Sequence, residues 1–125
     1  MLLDTHVLLW FLEDHSNLPL SIKEVIENSD EIWVSIVSLW EISIKLSIHK
    51  LTLQFQFQTL PDLLSQLEIG ILTLSFEDIN HYLSLSLHHR DPFDRILIAQ
   101  AINRSMPIAS ADAVFDAYSV QRIWT

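Results

Sequence analysis

The sequence predicts a single α/β domain with a mainly parallel sheet, and two observations lead to that fold class. Short segments rich in β-forming residues alternate with segments whose apolar residues recur at helical spacing, from one end of the chain to the other. The chain has 125 residues, which is enough for one hydrophobic core and too few for two domains. No repeat, low-complexity tract or linker divides it.

The first third of the chain contains two predicted strands and two predicted helices. Residues 1–3 form a short apolar strand that leads directly into Asp4, and the apolar residues after it predict a helix. A second helix begins after Pro19. Its inner face is expected to consist of Ile22, Val25 and Ile26. The expected bounds are 1–3 and 31–37 for the strands and 6–12 and 21–28 for the helices.

The next helix is predicted from a capping box. Ser38 and Glu41 have the required spacing, so we expect a helix from Ser38 to about His49 with Glu41 in its first turn. Lys45 lies four residues after Glu41 and is placed to pair with it. Residues 51–58 then alternate between apolar and polar types, which predicts an extended segment that packs one face on the body or on a partner.

The remaining elements alternate in the same way. Pro61 opens a short helix at 62–68, and Gly70, the only glycine, is expected to close it. A helix from Ser75 to about Leu87 follows a strand. The other elements expected after residue 70 are strands at 71–74 and 107–110, a helical turn through 115–117 and an edge strand at 120–124.

The stretch from residue 89 to residue 101 predicts the central helix. Asp91 suits the N-cap position, Pro92 the first helical position and Asp94 the first turn. The apolar residues at helical spacing from Asp94 are Leu97, Ile98, Ala101 and Ile102. A carboxylate therefore heads the buried stripe, although both acids also have a simple explanation as helix-capping residues. The histidines at 88–89 precede the helix in a loop and are expected to be solvated.

Composition and charge exclude several classes of site. The absence of cysteine excludes disulfides and thiolate metal sites, and a single glycine excludes glycine-rich phosphate loops. Apolar runs fall far short of the ~20 residues that span a bilayer, so we expect a cytoplasmic protein with no membrane contact. The net charge of −9 argues against a DNA-coating protein and permits a cation site or a basic partner.

Four acidic residues are each expected where a strand ends or a helix begins: Asp4, Glu41, Asp94 and Asp112. In a parallel sheet these positions share one edge, where ligands bind. Each acid alone can be explained as a helix cap, but the four carboxylates together would repel one another unless a cation is bound. Hard oxygen ligands with open positions suit Mg²⁺ or Mn²⁺.

Four stretches of the chain are similar to those of a known family: LLDTH at 2–6, VSLWEISIK at 37–45, HRDPFDR at 89–95 and PIASAD at 107–112. On these stretches the chain resembles the PIN-domain ribonucleases, and most closely the VapC toxins of bacterial toxin–antitoxin pairs. The resemblance extends over nearly the whole chain, and the two inner motifs are specific.

The resemblance implies a PIN-like three-layer α/β/α domain over residues 1–125, with a mainly parallel central sheet of four to five strands. It implies a Mg²⁺-dependent endoribonuclease, with Mn²⁺ as the other candidate cation. The implied catalytic and metal-binding acids are Asp4, Glu41, Asp94 and Asp112. Ser110 would be an accessory residue beside the last acid, and Asp116 a further acid. The family also implies a homodimer that is neutralised by a small antitoxin, for which a basic tail is expected.

The expected mechanism needs no nucleophilic side chain. A cation held by Asp4, Asp94 and Asp112 would activate a water for attack on an RNA phosphodiester, and a second, recruited with Glu41, would stabilise the leaving oxygen. The candidate phosphate contacts are Lys45, Arg90 and Arg95. The alternative is a catalytically inactive PIN-like module that acts through protein–protein binding. The chain departs from the family at 48–49, where a glycine is common, so the residue at which the Glu41 helix ends is not predicted.

Overall fold

A five-stranded parallel β-sheet forms the centre of the computed structural model, which describes all 125 residues. The strands are β1 (Leu2–Leu3), β2 (Ile32–Ser35), β3 (Ile69–Leu72), β4 (Ile108–Ala109) and β5 (Arg122–Ile123). Their order across the sheet is β3-β2-β1-β4-β5, and every neighbouring pair is parallel. The predicted fold class is confirmed, and the last strand lies at an edge as expected.

Six α-helices connect the strands and complete a three-layer α/β/α arrangement. They are α1 (Thr5–Leu12), α2 (Leu20–Asn28), α3 (Ile36–Ser47), α4 (Leu60–Gln66), α5 (Phe76–Ser84) and α6 (Pro92–Asn103). Short 3₁₀ turns occur at Phe57–Thr59 and Ala113–Ala117. None of these helices combines the length and the apolar character that crossing a bilayer requires.

Both faces of the sheet are buried, and β1 shows this within two residues. Leu3 belongs to a core of 15 buried residues that includes residues of α1, α2 and α4, whereas Leu2 belongs to a second core that includes Leu97 and Ile98 of α6. Successive side chains of a strand point to opposite faces, so one Leu-Leu pair anchors two layers.

The inner face of α2 is narrower than predicted, because Ile22 and Ile26 are buried but Val25 is 41% exposed.

Helix α3 begins three residues earlier than the predicted capping box requires. Ser35, the last residue of β2, accepts the N–H of Val37 at 3.0 Å and is the cap. Ser38 is buried, and its hydroxyl lies 2.9 Å from that of Thr5. The prediction was wrong because two serines three residues apart compete for the cap, and the end of β2 decides between them. Glu41 therefore lies in the second turn of the helix.

Gly70 has a different role from the one predicted. It lies inside β3, and a Cβ at this position would meet the Trp33 ring at 2.5 Å. The short helix before it ends at Gln66, and the following turn uses Glu68 with a positive φ of 58°. Glycine is required here for the close approach of an aromatic ring on the neighbouring strand, and not for a helix end.

Residues 51–56 have no regular secondary structure and pair with no strand, and residues 57–58 belong to the short 3₁₀ turn, so the extended segment predicted for 51–58 is wrong at its end. The alternation along 51–58 is confirmed, because the apolar residues are partly buried and the polar ones exposed. The side chains that pack on the larger core are Leu51, Leu53, Phe55 and Phe57. The apolar face thus covers the body of the domain.

Candidate active site

Three adjacent parallel strands end at the same edge of the sheet, and acidic residues follow two of them. Asp4 comes directly after β1, and Asp112 comes three residues after the end of β4. Asp94 lies in the first turn of α6, the helix that precedes β4. Helix α3 leaves the carboxyl end of β2 and carries Glu41. This is the edge at which parallel α/β sheets bind ligands.

Asp4 is nearly inaccessible to solvent and has a structural task as well. Its Oδ1 accepts the N–H of Val7 at 2.8 Å and caps α1. Burial raises the pKa of the Asp4 carboxyl above its ordinary value, against the opposing hydrogen bonds from Ser110 and from the backbone of Val7. The Asp112 carboxylate also raises it. One carboxylate oxygen is sufficient for the cap, so Asp4 can cap α1 and be an acidic residue of the site at the same time.

Ser110 connects the two strand-end acids. It is fully buried, its hydroxyl oxygen accepts the N–H of Asp112 at 3.0 Å, and its side chain hydrogen-bonds to Asp4. Asp112 in turn caps the following 3₁₀ turn by accepting the N–H of Val114 at 3.0 Å. A small hydroxyl residue at this position fixes the loop between β4 and Asp112.

Asp94 is the most perturbed acid of the site. Burial raises its pKa to about 7, and the carboxylates of Asp91, Asp4 and Glu41 add to the rise, while His89 opposes it. A carboxyl group next to several others at reduced dielectric holds its proton more tightly because a further negative charge is repelled. A bound cation would relieve the same repulsion.

Glu41 is held from two sides. Its Oε1 accepts the hydroxyl of Thr5 at 2.8 Å, and its Oε2 lies 3.0 Å from Nζ of Lys45. The carboxylate is nearly buried, whereas the lysine side chain is 37% exposed. Lys45, a candidate phosphate contact, thus forms the predicted i,i+4 pair, and it remains accessible to solvent.

His89 belongs to this group, although the sequence analysis expected it to be solvated. Its Nε2 lies 3.0 Å from Asp94 Oδ2 and 2.9 Å from Asp112 Oδ2. The ligand atoms of these three residues all lie within 4.8 Å of one another. The one signal in the sequence was the position of His89 two residues before the cap of α6, which keeps it next to the first turn. The expectation for this residue was wrong.

The structure separates the two arginines that were predicted to contact phosphates. Arg95 is buried, donates to the carbonyl oxygens of Ser86 and His89, and lies over the ring of Tyr82. It holds the loop before α6 and is not available to a phosphate, so that interpretation is wrong. Arg90 is exposed and has no ion-pair partner.

Asp116 was expected to be a further acid of the site. Its two carboxylate oxygens instead pair with Nε and Nη2 of Arg122, at 2.9 and 3.0 Å. The pair lies on the surface and lowers the pKa of Asp116, chiefly through the hydrogen bond from Arg122. Arg122 also donates to the carbonyl oxygen of Ser110. Asp116 therefore holds β5 against the loop after β4.

A buried acid lies outside this group and was not predicted. Asp78 is inaccessible to solvent and completes a capping box with Ser75 at the start of α5. It also accepts hydrogen bonds from Asn103 and Arg104 at the end of α6, and these fix α5 against α6. No sequence pattern links residues that lie 25 positions apart on two helices.

Comparison with known proteins identifies the fold. A family model described as PIN domain matches residues 1–121. The VapBC2 complex from Rickettsia felis, solved with a DNA fragment from their promoter, has a TM-score of 0.73 at 17% identity, over 98% of this chain and 96% of that chain. A toxin–antitoxin complex from Klebsiella pneumoniae has a TM-score of 0.65 at 17% identity, over 98% and 95%. FitAcB from Neisseria gonorrhoeae has a TM-score of 0.69 at 20% identity, over 98% and 96%.

At these identities the likeness concerns the fold. Curated protein sequences give no match. The family model and the shared fold confirm the resemblance that the four sequence stretches indicated.

Proposed function

We propose that this chain, which belongs to the PIN domain family, is a metal-dependent endoribonuclease and the toxin of a toxin–antitoxin pair. The observation that carries the proposal is the grouping of Asp94 and Asp112, whose ligand atoms lie within 4.8 Å of each other at the ligand-binding edge of the sheet. Burial and three neighbouring carboxylates raise the pKa of Asp94 there to about 7. Such a group is costly to the fold and is typical of functional sites. The shared fold of known toxin–antitoxin complexes supports the biological role.

The donor set suits a hard divalent cation. We propose that Asp4, Asp94 and Asp112 hold Mg²⁺ or Mn²⁺, because carboxylate oxygens are the ligands that these ions prefer. Glu41 would serve a second cation that arrives with the substrate. The bound ion would supply Lewis-acid chemistry and a water of lowered pKa. The protein's own contribution is to hold these carboxylates close together and partly shielded from solvent.

RNA would bind through its phosphates beside this group. Arg90 is exposed and unpaired, and Lys45 is accessible although it pairs with Glu41. We propose these two residues as the phosphate contacts. Since Arg95 is buried, the positive charge available near the acids is small, which accords with an enzyme that relies on metal ions to attract its substrate.

A homodimer and an antitoxin complete the proposal. Several large apolar side chains of α3 and α5 are exposed, including Trp40 at 60% and Leu83 at 81%. An apolar groove of about 310 Å³ lies between Trp40 and Ile79. Apolar surface of this kind is usually covered by another chain. The net charge of −9 favours an antitoxin with a basic tail.

The assembly is tested by light scattering of the purified chain at micromolar concentration. We expect a dimer, which Leu83→Glu on α5 weakens and Leu20→Glu on α2 leaves intact. Leu20 is a matched control, because it is 75% exposed and also lies on a helix. A monomeric parent chain would contradict the homodimer.

The function is tested by incubating the chain with structured RNA in the presence of Mg²⁺, Mn²⁺ or EDTA. We expect cleavage with either ion and none with EDTA, and a loss on the order of 100-fold or more for Asp4→Asn and Asp112→Asn. The control is Asp62→Asn, which changes an exposed acid of α4. DNA of the same sequence distinguishes a ribonuclease from a general nuclease.

The alternative is an inactive PIN-like module that acts through protein–protein binding. The exposed apolar surface of α3 and α5 is the observation that favours it. If the chain binds a basic partner but cleaves no RNA with either ion at saturating concentration, this alternative is correct and the enzymatic proposal is wrong.

A further inference from the structure

The imidazole of His89 is fixed in place by its surroundings. Its backbone N–H donates to the hydroxyl of Tyr118 at 2.8 Å, and its carbonyl oxygen accepts from Arg95 at 3.3 Å. The ring packs edge-on against Phe115, and the side chain is only 15% exposed. A loop histidine that is anchored at its backbone and at its ring cannot turn away from the acids without breaking these contacts.

The hydrogen bonds of the ring determine which nitrogen carries the proton. Nδ1 accepts the backbone N–H of Asp91 at 3.2 Å, so the neutral ring carries its proton on Nε2. That N–H donates to Asp112 Oδ2 at 2.9 Å, and Asp94 Oδ2 lies 3.0 Å from the same nitrogen, outside hydrogen-bond geometry. Both carboxylates thus lie against the same partly positive N–H group, which hydrogen-bonds to Asp112.

This arrangement argues against His89 as a metal ligand. A metal bound at Nε2 needs the lone pair of that nitrogen, which places the proton on Nδ1. The Nδ1–H group would then face the N–H of Asp91, and two donors would oppose each other at 3.2 Å. The backbone of the capping residue of α6 therefore selects the tautomer that cannot ligate.

We propose that His89 is a positioning residue whose Nε2–H group takes the place of a cation between Asp94 and Asp112, so that a metal ion must displace the imidazole from at least one carboxylate. This inference rests on the proposed function only for the premise that these two acids bind a cation. In the metal-free protein the N–H group holds the two acids together and reduces their repulsion. In the metal-bound protein the ion does so, and His89 is not among its ligands.

The proposal predicts different effects on the metal-free and the metal-bound forms of the protein. His89→Ala leaves Asp94 and Asp112 without the N–H group that lies against both carboxylates, so the metal-free form should melt at a lower temperature. The metal-bound form loses little, because the ion has already replaced that donor. Since only the metal-free form is weakened, the variant should bind Mn²⁺ and Mg²⁺ about fivefold or more tightly than the parent chain.

The test uses the full chain, with isothermal titration by Mn²⁺ and Mg²⁺ and with thermal melting in EDTA. His88→Ala is the matched control, because His88 is the exposed neighbour in the same loop. His89→Gln supplies a second variant, whose amide N–H₂ keeps a donor near the carboxylates but no imidazole. It should melt close to the parent in EDTA and retain Mn²⁺ affinity within about twofold.

Three results would overturn the proposal. Weaker Mn²⁺ binding by both variants, or direct ¹⁴N coupling in the electron spin echo of bound Mn²⁺, would make His89 a ligand. Unchanged melting and unchanged affinity in both variants would make it a bystander. A parent chain that binds neither Mn²⁺ nor Mg²⁺ would also contradict the proposal, because no ion would then compete with His89 for the two carboxylates. Metal binding that follows the prediction without any RNA cleavage would instead refute the proposed function and leave this inference standing.

Discussion

The carboxylate of Asp91 caps helix α6, and that of Asp94, three residues later in the same turn, has no backbone partner. Asp91 Oδ1 accepts the N–H of Phe93 at 2.9 Å, while the only close partner of Asp94 is Nε2 of His89 at 3.0 Å. The two acids at the start of this helix therefore have separate tasks. The cap needs Asp91 alone, which leaves the charge of Asp94 available to the site.

Asp94→Asn should preserve the fold and remove cation binding. The variant loses one of several crowded carboxylates and no cap, so the metal-free protein should be at least as stable as the parent at pH 8. The rise in melting temperature on adding Mn²⁺ should disappear, and RNA cleavage should fall on the order of 100-fold or more. Thermal melting with and without Mn²⁺, together with a cleavage assay, measures both effects.

Ser75→Ala is the comparison that would measure the effect of losing a helix cap in this chain. Ser75 accepts the N–H of Asp78 at the start of α5, far along the sequence from the acids of the site. Its replacement should lower the free energy of unfolding by about 1 kcal/mol and leave cleavage unchanged. An Asp94→Asn variant that resembles Ser75→Ala in both measurements would show that Asp94 is only a helix-terminal acid.

The buried Asp78 should make stability depend on acid pH. Burial alone would raise its pKa, but hydrogen bonds from Arg104, the Ser75 backbone and Asn103 lower it to about 2. Because the folded-state pKa is below the unfolded value, the stabilisation is present above pH 4 and is lost as the pH falls through 2. The difference corresponds to about 2 kcal/mol, of which about half should be lost at pH 3.

Urea unfolding of the parent and of Asp78→Asn at pH 7, 5 and 3 measures this contribution. The variant should be less stable at pH 7, and the gap between the two proteins should narrow toward pH 3. A gap of constant size would mean that the Asp78 carboxylate contributes through its shape and neutral hydrogen bonds, and not through its charge.

The elements that the sequence predicted well are those whose signals are local. Asp91 and Pro92 mark the start of α6, where they are the N-cap and the first helical residue, and the helix expected from Ser75 begins at Phe76 with Ser75 as its cap. The alternation of strand and helix patterns was sufficient to predict a parallel sheet. Because ligands bind beyond the carboxyl ends of parallel strands, it was also possible to predict that Asp4 and Asp112 lie at the same edge.

The features that sequence reasoning missed depend on contacts between distant segments. The cap of α3 is Ser35 because β2 ends there in register with its neighbours, and no local pattern separates Ser35 from Ser38. His89 joins the site because the loop before α6 is fixed by Arg95 and by Tyr118, and Tyr118 lies 29 residues further along the chain. Such contacts require the tertiary structure.

Gly70→Ala should destabilise the protein although alanine suits a strand no worse than glycine. The new methyl group would lie 2.5 Å from Cζ3 and 2.6 Å from Cε3 of Trp33, so the ring or the strand must move. Overpacking of this size costs about 1–3 kcal/mol. Chemical denaturation measures the loss. The double variant Gly70→Ala with Trp33→Leu should show a smaller effect of the alanine, and an equal effect in both backgrounds would exclude the ring contact as its cause.

Four helices of this chain are followed by a non-glycine residue with positive φ. The only glycine of the chain lies in β3 and therefore occupies none of these turns. The four residues are Asp14, His49, Glu68 and Ser105, with φ between 50° and 58°. After α3 the turn is closed by two hydrogen bonds, from His49 N–H to Leu46 O at 3.2 Å and from Lys50 N–H to Lys45 O at 2.8 Å. The helix therefore ends at Ser47 without the glycine that is common in the family, and the left-handed residue bears the strain.

His49→Gly should consequently stabilise the protein. Glycine adopts a φ of 58° without the Cβ clash that costs other residues about 1–2 kcal/mol, but it also makes the unfolded chain more flexible. We expect a net gain of about 0.5–1 kcal/mol in the free energy of unfolding, measured by urea denaturation. Glu24→Gly, at an exposed position inside α2, carries the same entropic cost without relieving any strain and should lose about 1 kcal/mol. If both glycines destabilise the protein equally, the left-handed turn after α3 is not strained, and the departure from glycine at this position has no energetic consequence.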